Sequence, residues 1–92
     1  MDNVRVTVIG REACHLCEEA TDLIESVLPR YANVVLEKRL IEEEPEWLEF
    51  YTDKVPVILI DGVEHGYWRV NEEIFRGALV QAGALHQQKD SE

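Results

Sequence analysis

Residues 10–20, GREACHLCEEA, decide how the rest of the chain is read. They hold Cys14 and Cys17, the only two cysteines in the sequence. Upstream, residues 4–9 (VRVTVI) place Val4, Val6 and Val8 on one face and Arg5, Thr7 and Ile9 on the other, a period of two that predicts a strand; Gly10 ends it. From Leu16 the period changes. Leu16, Ala20, Leu23, Ile24, Val27 and Leu28 recur at helical spacing, and Pro29 marks the stop. The cysteines therefore fall at a strand-to-helix turn, with Cys14 at or just before the helix start and Cys17 in its first turn. Three uses are open to such a pair: a redox couple, half of a metal site, or two small buried residues.

The helix start favours the first. A thiolate at Cys14 meets unpaired N–H groups and the positive end of the helix dipole, which lowers its pKa and raises its reactive fraction. Arg11, three residues earlier, and His15, next in sequence, can add positive charge. Two intervening residues at a helix start also bring the sulfurs close enough for a reducible disulfide. On this reading Cys14 attacks and Cys17, set deeper, resolves. Glu18 follows Cys14 by four residues on the same helical face and opposes the negative charge, so the expected pKa is lowered only moderately. A zinc site would need four ligands, and no histidine pair stands at ligand spacing, so no metal is expected.

Beyond the turn, residues 34–41 (VVLEKRLI) read as a second strand. In residues 42–51 (EEEPEWLEFY), Pro45 suits the first turn of a helix and the glutamates suit its positive end; Leu48 and Tyr51 are expected to face inward, with Trp47 at the edge. Residues 55–60 (VPVILI) form the unbroken apolar run of a central strand. Asp61-Gly62 is a two-residue hairpin signal, so Val63 to Val70 should return antiparallel. Asn71 can cap a last helix with Ile74, Ala78 and Leu79 as its buried stripe, ending at Gly83. The order is β-α-β-α-β-β-α. Its helical crossovers predict parallel neighbours after the first and second strands, and the closing hairpin adds an antiparallel pair. That is the α/β order of a thioredoxin fold, a four-stranded mixed sheet with helices on both faces. One domain over residues 1–84 is expected, with 85–92 (LHQQKDSE with Leu85 first) as a fraying tail.

Composition bounds the partners. The chain has 92 residues, 46% of them hydrophobic, enough for one packed domain. Nineteen acidic against nine basic residues give a formal charge of -10. That field repels phosphate backbones and anionic membranes, so no nucleic acid and no membrane partner is expected. The first residues, MDNVRVTVIG, lack the basic start and apolar run of a signal peptide, and the cytoplasm is the expected compartment. Thiols are kept reduced there, which disfavours a permanent structural bridge. A monomer is expected. His65 and His86 read as surface residues, and Trp47, Tyr67 and Trp68 as core or rim.

The segments VTVIGREACHLC (6–17) and KVPVILIDG (54–62), with the element order, resemble the glutaredoxin-like members of the thioredoxin superfamily. The CHLCEEA turn is similar to that of small bacterial glutaredoxin-like proteins. The resemblance implies a cis bond before Pro56 beside the thiols, with the backbone of Val55 pairing with an extended substrate. It also implies substrate contacts from Arg11, which stands where the family has lysine, from His15 and from Gly66, the single glycine where the family has a pair. Lys54 replaces the family's threonine, and Tyr67 and Trp68 follow Gly66, so the departures gather on the glutathione site. The implied activity is thiol–disulfide oxidoreduction of a protein or small-molecule disulfide. The dithiol itself is the redox group with no other cofactor, and glutathione as co-substrate or a thioredoxin-reductase-type enzyme supplies electrons. The rival readings are a non-catalytic thioredoxin-fold interaction module and a metal-handling dithiol protein.

Overall fold

The first strand, β1, runs from Val4 to Gly10 and is buried at every position but Arg5. In the computed structural model, which describes residues 3–86, it is the second strand of a four-stranded sheet ordered β2-β1-β3-β4. The other strands are β2 (Val34–Leu40), β3 (Val57–Ile60) and β4 (Val63–Tyr67); the helices are α1 (His15–Val27), α2 (Pro45–Tyr51) and α3 (Glu72–Gln81). The thioredoxin-fold order is as expected, and none of the helices among the described residues is long and apolar enough to cross a membrane.

Strand direction needs one correction. β2 lies parallel to β1, Val4 opposite Val34 and Gly10 opposite Leu40, as the long α1 crossover requires. The second crossover does not give a parallel neighbour: β3 pairs antiparallel with β1, Ile9 opposite Val57 and Val6 opposite Ile60. The reason is length. The seven residues of β2 span roughly 23 Å, whereas the seven of α2 span only about 10 Å. The chain is not carried back along the sheet, so β3 starts at the end where β2 stopped and runs the other way.

The alternation within the strands divides the core in two. Val4, Val6 and Val8 pack with Ala20, Ile24 and Val27 of α1 and with Phe75 and Leu79 of α3. Ile9 and Val57 face the other way and join Cys17, Ile41 and Val55, against which Trp47 and Tyr51 of α2 pack. Helices thus cover both faces of the sheet. In two helices the expected Tyr51, Ala78 and Leu79 face inward, but one expected residue in each does not. In α2 Trp47 and Tyr51, one turn apart, face inward, while Leu48 is 47% exposed. In α3 the core takes Phe75 and Leu79, and Ile74 is 64% exposed. The Asn71 side chain accepts from the Ile74 N–H at 3.0 Å, the expected cap, and the Cβ direction that follows turns Phe75 to the sheet.

The hairpin forms at Asp61 (φ 52°) and Gly62 (φ 83°), both left-handed as a tight turn of this type requires. Its return strand is shorter than the expected span of 63–70, because Trp68 turns the chain at φ 70°. The pairing slips between Ile58, opposite Gly66, and Leu59, opposite Glu64, so His65 is an extra residue in a bulge. It is half-buried with its ring edge-on to Phe75 at 5.8 Å, not on the open surface as expected. At the C-terminal end the expected tail falls mostly outside the described residues. Within them, Leu85 donates to the Asn33 side chain at 2.8 Å, and His86 bridges to Tyr31.

Candidate active site

The turn after β1 is built by three consecutive choices. Gly10 closes the strand, Ala13 takes a left-handed φ of 58°, and Cys14 adopts an extended φ of -111° as the N-cap of α1. Its side chain does the work that Ser or Asp does at other helix starts: Sγ accepts from the Cys17 N–H at 3.2 Å. The Cys14 carbonyl accepts from the Glu18 N–H at 3.1 Å. Cys14 and Cys17 form a disulfide with their Cα atoms 5.2 Å apart.

Burial separates the two sulfur residues. Cys17 is 7% exposed and sits in the second core cluster, whereas Cys14 is half-buried at its rim. An incoming group therefore meets Cys14 first. Beside the pair lies a cavity of about 350 Å3 whose wall includes Arg11, Cys14, Cys17, Glu18, Lys38 and Arg39. Lys38 is paired with Glu25 at 3.0 Å. Arg39 is held by Glu43 and Glu37 and lies 5.1 Å from the Trp47 ring centroid; the Glu43 hydrogen bond, with both charges, keeps its guanidinium protonated beyond the ordinary range. Arg11 is exposed and forms no ion pair among the described residues, so it is the cation in this wall with its charge uncommitted.

The residues expected at the site are brought together unequally. Val55 is buried against the same cluster as Cys17, and the Val55–Pro56 bond is cis, as the resemblance implied. His15 is adjacent in sequence but pairs with Glu19 at 3.0 Å, its side chain 82% exposed, and it does not line the cavity. Gly66 lies opposite Ile58 in the β3–β4 ladder, with no heavy atom within 4 Å of where a Cβ would stand. Among the described residues no group of three or more His, Cys, Asp and Glu side chains is placed to hold a metal ion.

Four further residues shape the turn and its surroundings; Gly10 was expected only as a strand end, Trp47 and Trp68 only as core or rim, and Arg39 in no role. A Cβ on Gly10 would stand 3.0 Å from Cys17 Sγ, so the glycine lets the strand end pass close to the sulfur. Arg39 and Trp47 meet near the pair from β2 and α2, which no local pattern reveals. Trp68 ties the loop before β3 to the end of β4. Its backbone N–H donates to the Pro56 carbonyl and its indole N–H to the Asp53 carbonyl, both at 2.9 Å. Its backbone is left-handed at φ 70°, and sequence carries no signal for a tryptophan in that conformation.

The model of the Glutaredoxin-like domain (DUF836) family matches residues 5–79 of this chain. The uncharacterized protein Rv0508 of Mycobacterium tuberculosis is 24% identical over 86 residues, covering 89% of each chain. The solution structure of protein Ne2328 from Nitrosomonas europaea superposes with a TM-score of 0.74 at 25% identity, over 86% of this chain and 94% of that one. A thioredoxin from Halobacterium salinarum shares the fold, with a TM-score of 0.62 at 14% identity over 87% of this chain and 74% of that one.

Proposed function

Since the chain belongs to the glutaredoxin-like domain family and carries a disulfide at the first helix start, we propose that it is a dithiol thiol–disulfide oxidoreductase. The observation that carries this is the asymmetry of the pair: a rim sulfur at Cys14 capped by the Cys17 N–H, and a buried partner behind it. In the reduced protein the same N–H and the open helix end stabilise a Cys14 thiolate. Glu18 on the next turn opposes it, which supports a moderate lowering of the pKa rather than an extreme one.

The thiolate of Cys14 attacks one sulfur of a substrate disulfide, forming a mixed disulfide and releasing a substrate thiolate that takes a proton. Cys17, as thiolate, then attacks Cys14 Sγ and displaces the second substrate thiol. Two electrons have passed to the substrate, and the protein holds its own disulfide. A thiol reductant, glutathione or a thioredoxin-reductase-type enzyme, returns two electrons and reopens it. The backbone of Val55 pairs with an extended substrate and Arg11 faces its negative groups, with His15 and Gly66 as further contacts. No bound cofactor is required, and the proposed setting is the cytoplasm.

The test is mixed-disulfide trapping combined with turnover. Cys17→Ser is expected to accumulate a covalent adduct through Cys14, and Cys14→Ser to abolish reduction of a small disulfide. Full turnover by Cys14→Ser would end this reading. Running the wild type in parallel with glutathione and with a thioredoxin reductase identifies the electron source.

A further inference from the structure

A second cavity, of about 530 Å3, opens beside α2, and its wall is formed by Glu46, Trp47, Phe50, Tyr51, Lys54 and Glu64. Three aromatic side chains from one short helix line it, and Phe50 is 63% exposed, an unusual place for a ring that the core does not use. Neither Glu46 nor Glu64 enters an ion pair among the described residues. The lysine of the wall lies over the Tyr67 ring, its ammonium 5.3 Å from the centroid, and its single positive charge leaves the two carboxylates in excess. Trp47 and Tyr51 have a second role, packing against the cluster that holds Cys17 and on whose rim Cys14 sits. The cavity and the sulfur pair are thus linked through one apolar cluster, against which Trp47, Tyr51 and Cys14 all pack.

We propose that this cavity docks a cationic, extended segment of the disulfide-bearing protein on which the sulfur pair acts, an inference that rests on the oxidoreductase reading above. The Trp47 ring already carries the Arg39 guanidinium, 5.1 Å from its centroid, but the exposed Phe50 ring with the Glu46 and Glu64 carboxylates in the same wall can recognise a guanidinium or ammonium group, through the ring quadrupole and charge-assisted hydrogen bonds. Charge complementarity selects the occupant. Glu42, Glu43, Glu44, Glu46 and Glu49 crowd α2 and its approach, and the chain as a whole carries -10, so a basic segment is drawn in. A second copy of this chain, or an acidic peptide, is repelled by the same field. The placement gives the docking a purpose: a segment seated in this cavity lies against Trp47 and Tyr51, which pack on the same cluster as Cys14, and so holds the neighbouring disulfide of its protein near the sulfur pair.

The test separates docking from chemistry. A cysteine-free, arginine-bearing peptide is titrated against the oxidised protein, followed by tryptophan fluorescence and by the amide signals of α2, beside its glutamate-bearing counterpart. The arginine peptide is expected to bind at least about fivefold more tightly. Glu46→Gln with Glu64→Gln should weaken it by about threefold or more, and Phe50→Ala should weaken it too. Glu73→Gln, the same kind of charge change at another cavity on α3, should leave the affinity unchanged. Equal binding of the two peptides, an equal loss with Glu73→Gln, or binding of free arginine as tight as that of the peptide would each overturn the proposal. Reduction of a small neutral disulfide is measured on the same variants and is expected to stay at the wild-type rate. Failure of the wild type in that assay would sink the oxidoreductase reading, and with it the occupant's role as substrate, whereas the peptide titration needs no turnover and by itself decides whether the cavity docks a cationic segment.

Discussion

A Cβ on Gly10 would meet Cys17 at 3.0 Å from Sγ and 3.1 Å from Cβ, closer than side chains ordinarily approach. Because Cys17 is buried among Ile9, Val55 and Val57, it has little room to move away. Gly10→Ala is therefore expected to destabilise the oxidised protein by ~1–3 kcal/mol, the cost of overfilling a packed site. It should also slow the resolving step, so that the mixed disulfide persists longer than in the wild type. Urea unfolding checks the first effect and trapping the second; an unfolding midpoint at the wild-type value would show that Cys17 can give way. Sequence showed Gly10 only as the end of a strand. The pair itself was legible at once, because a helix start and its capping position are local signals that a few neighbouring residues encode. What stands 3 Å behind Cys17 is not local, and no spacing rule reports it.

Among the elements, β4 shows the same division. Asp61-Gly62 announced the hairpin, but the bulge that turns His65 toward Phe75 came only with the pairing. Burial holds the His65 imidazole below its ordinary 6.5. The unfolded chain therefore takes up this proton at a higher pH than the folded chain does. Stability is lost as pH falls through about 6.5, and the loss is complete below the folded value. Glu43 acts in the same direction lower down. The Leu40 N–H, then Arg39, hold its carboxyl below the ordinary 4.5, so its contribution is present above that value and disappears as pH falls through the folded one. Replacing His65 by Phe is expected to flatten the decline in the urea midpoint between about pH 7.5 and 5.5, where the imidazole dominates, and to leave the acid-side decline in place. An unchanged slope in the upper window would mean that another group titrates there. The helices illustrate a second limit. Periodicity predicted amphipathic stripes, yet in both α2 and α3 two adjacent stripes were nearly equal in apolar content. Tyr51 and Leu79 face inward as expected, and the larger rings of Trp47 and Phe75 take the places expected of Leu48 and Ile74.

For the molecule as a whole, charge is the dominant long-range quantity. A formal -10 on 92 residues means net self-repulsion in the folded state, weakened in the more expanded unfolded chain. The screening length falls from about 30 Å at 0.01 M salt to about 8 Å at 0.15 M. The thermal midpoint is expected to rise over that range, because the surface ion pairs lost to screening are individually worth little. A midpoint that falls with salt would mean that the Arg39–Glu37–Glu43 network outweighs the repulsion. The sequence by itself determined the element order, the caps, the turn at Asp61-Gly62 and the placing of Cys14 and Cys17 at a helix start. Each of these depends on residues a few positions apart. Only folding sets β3 antiparallel to β1, selects the residues each helix buries, and gathers Gly10, Arg39 and Trp47 around the sulfurs. Those outcomes depend on how far a seven-residue helix can carry the chain and on which surfaces then meet, quantities that no short stretch of residues contains.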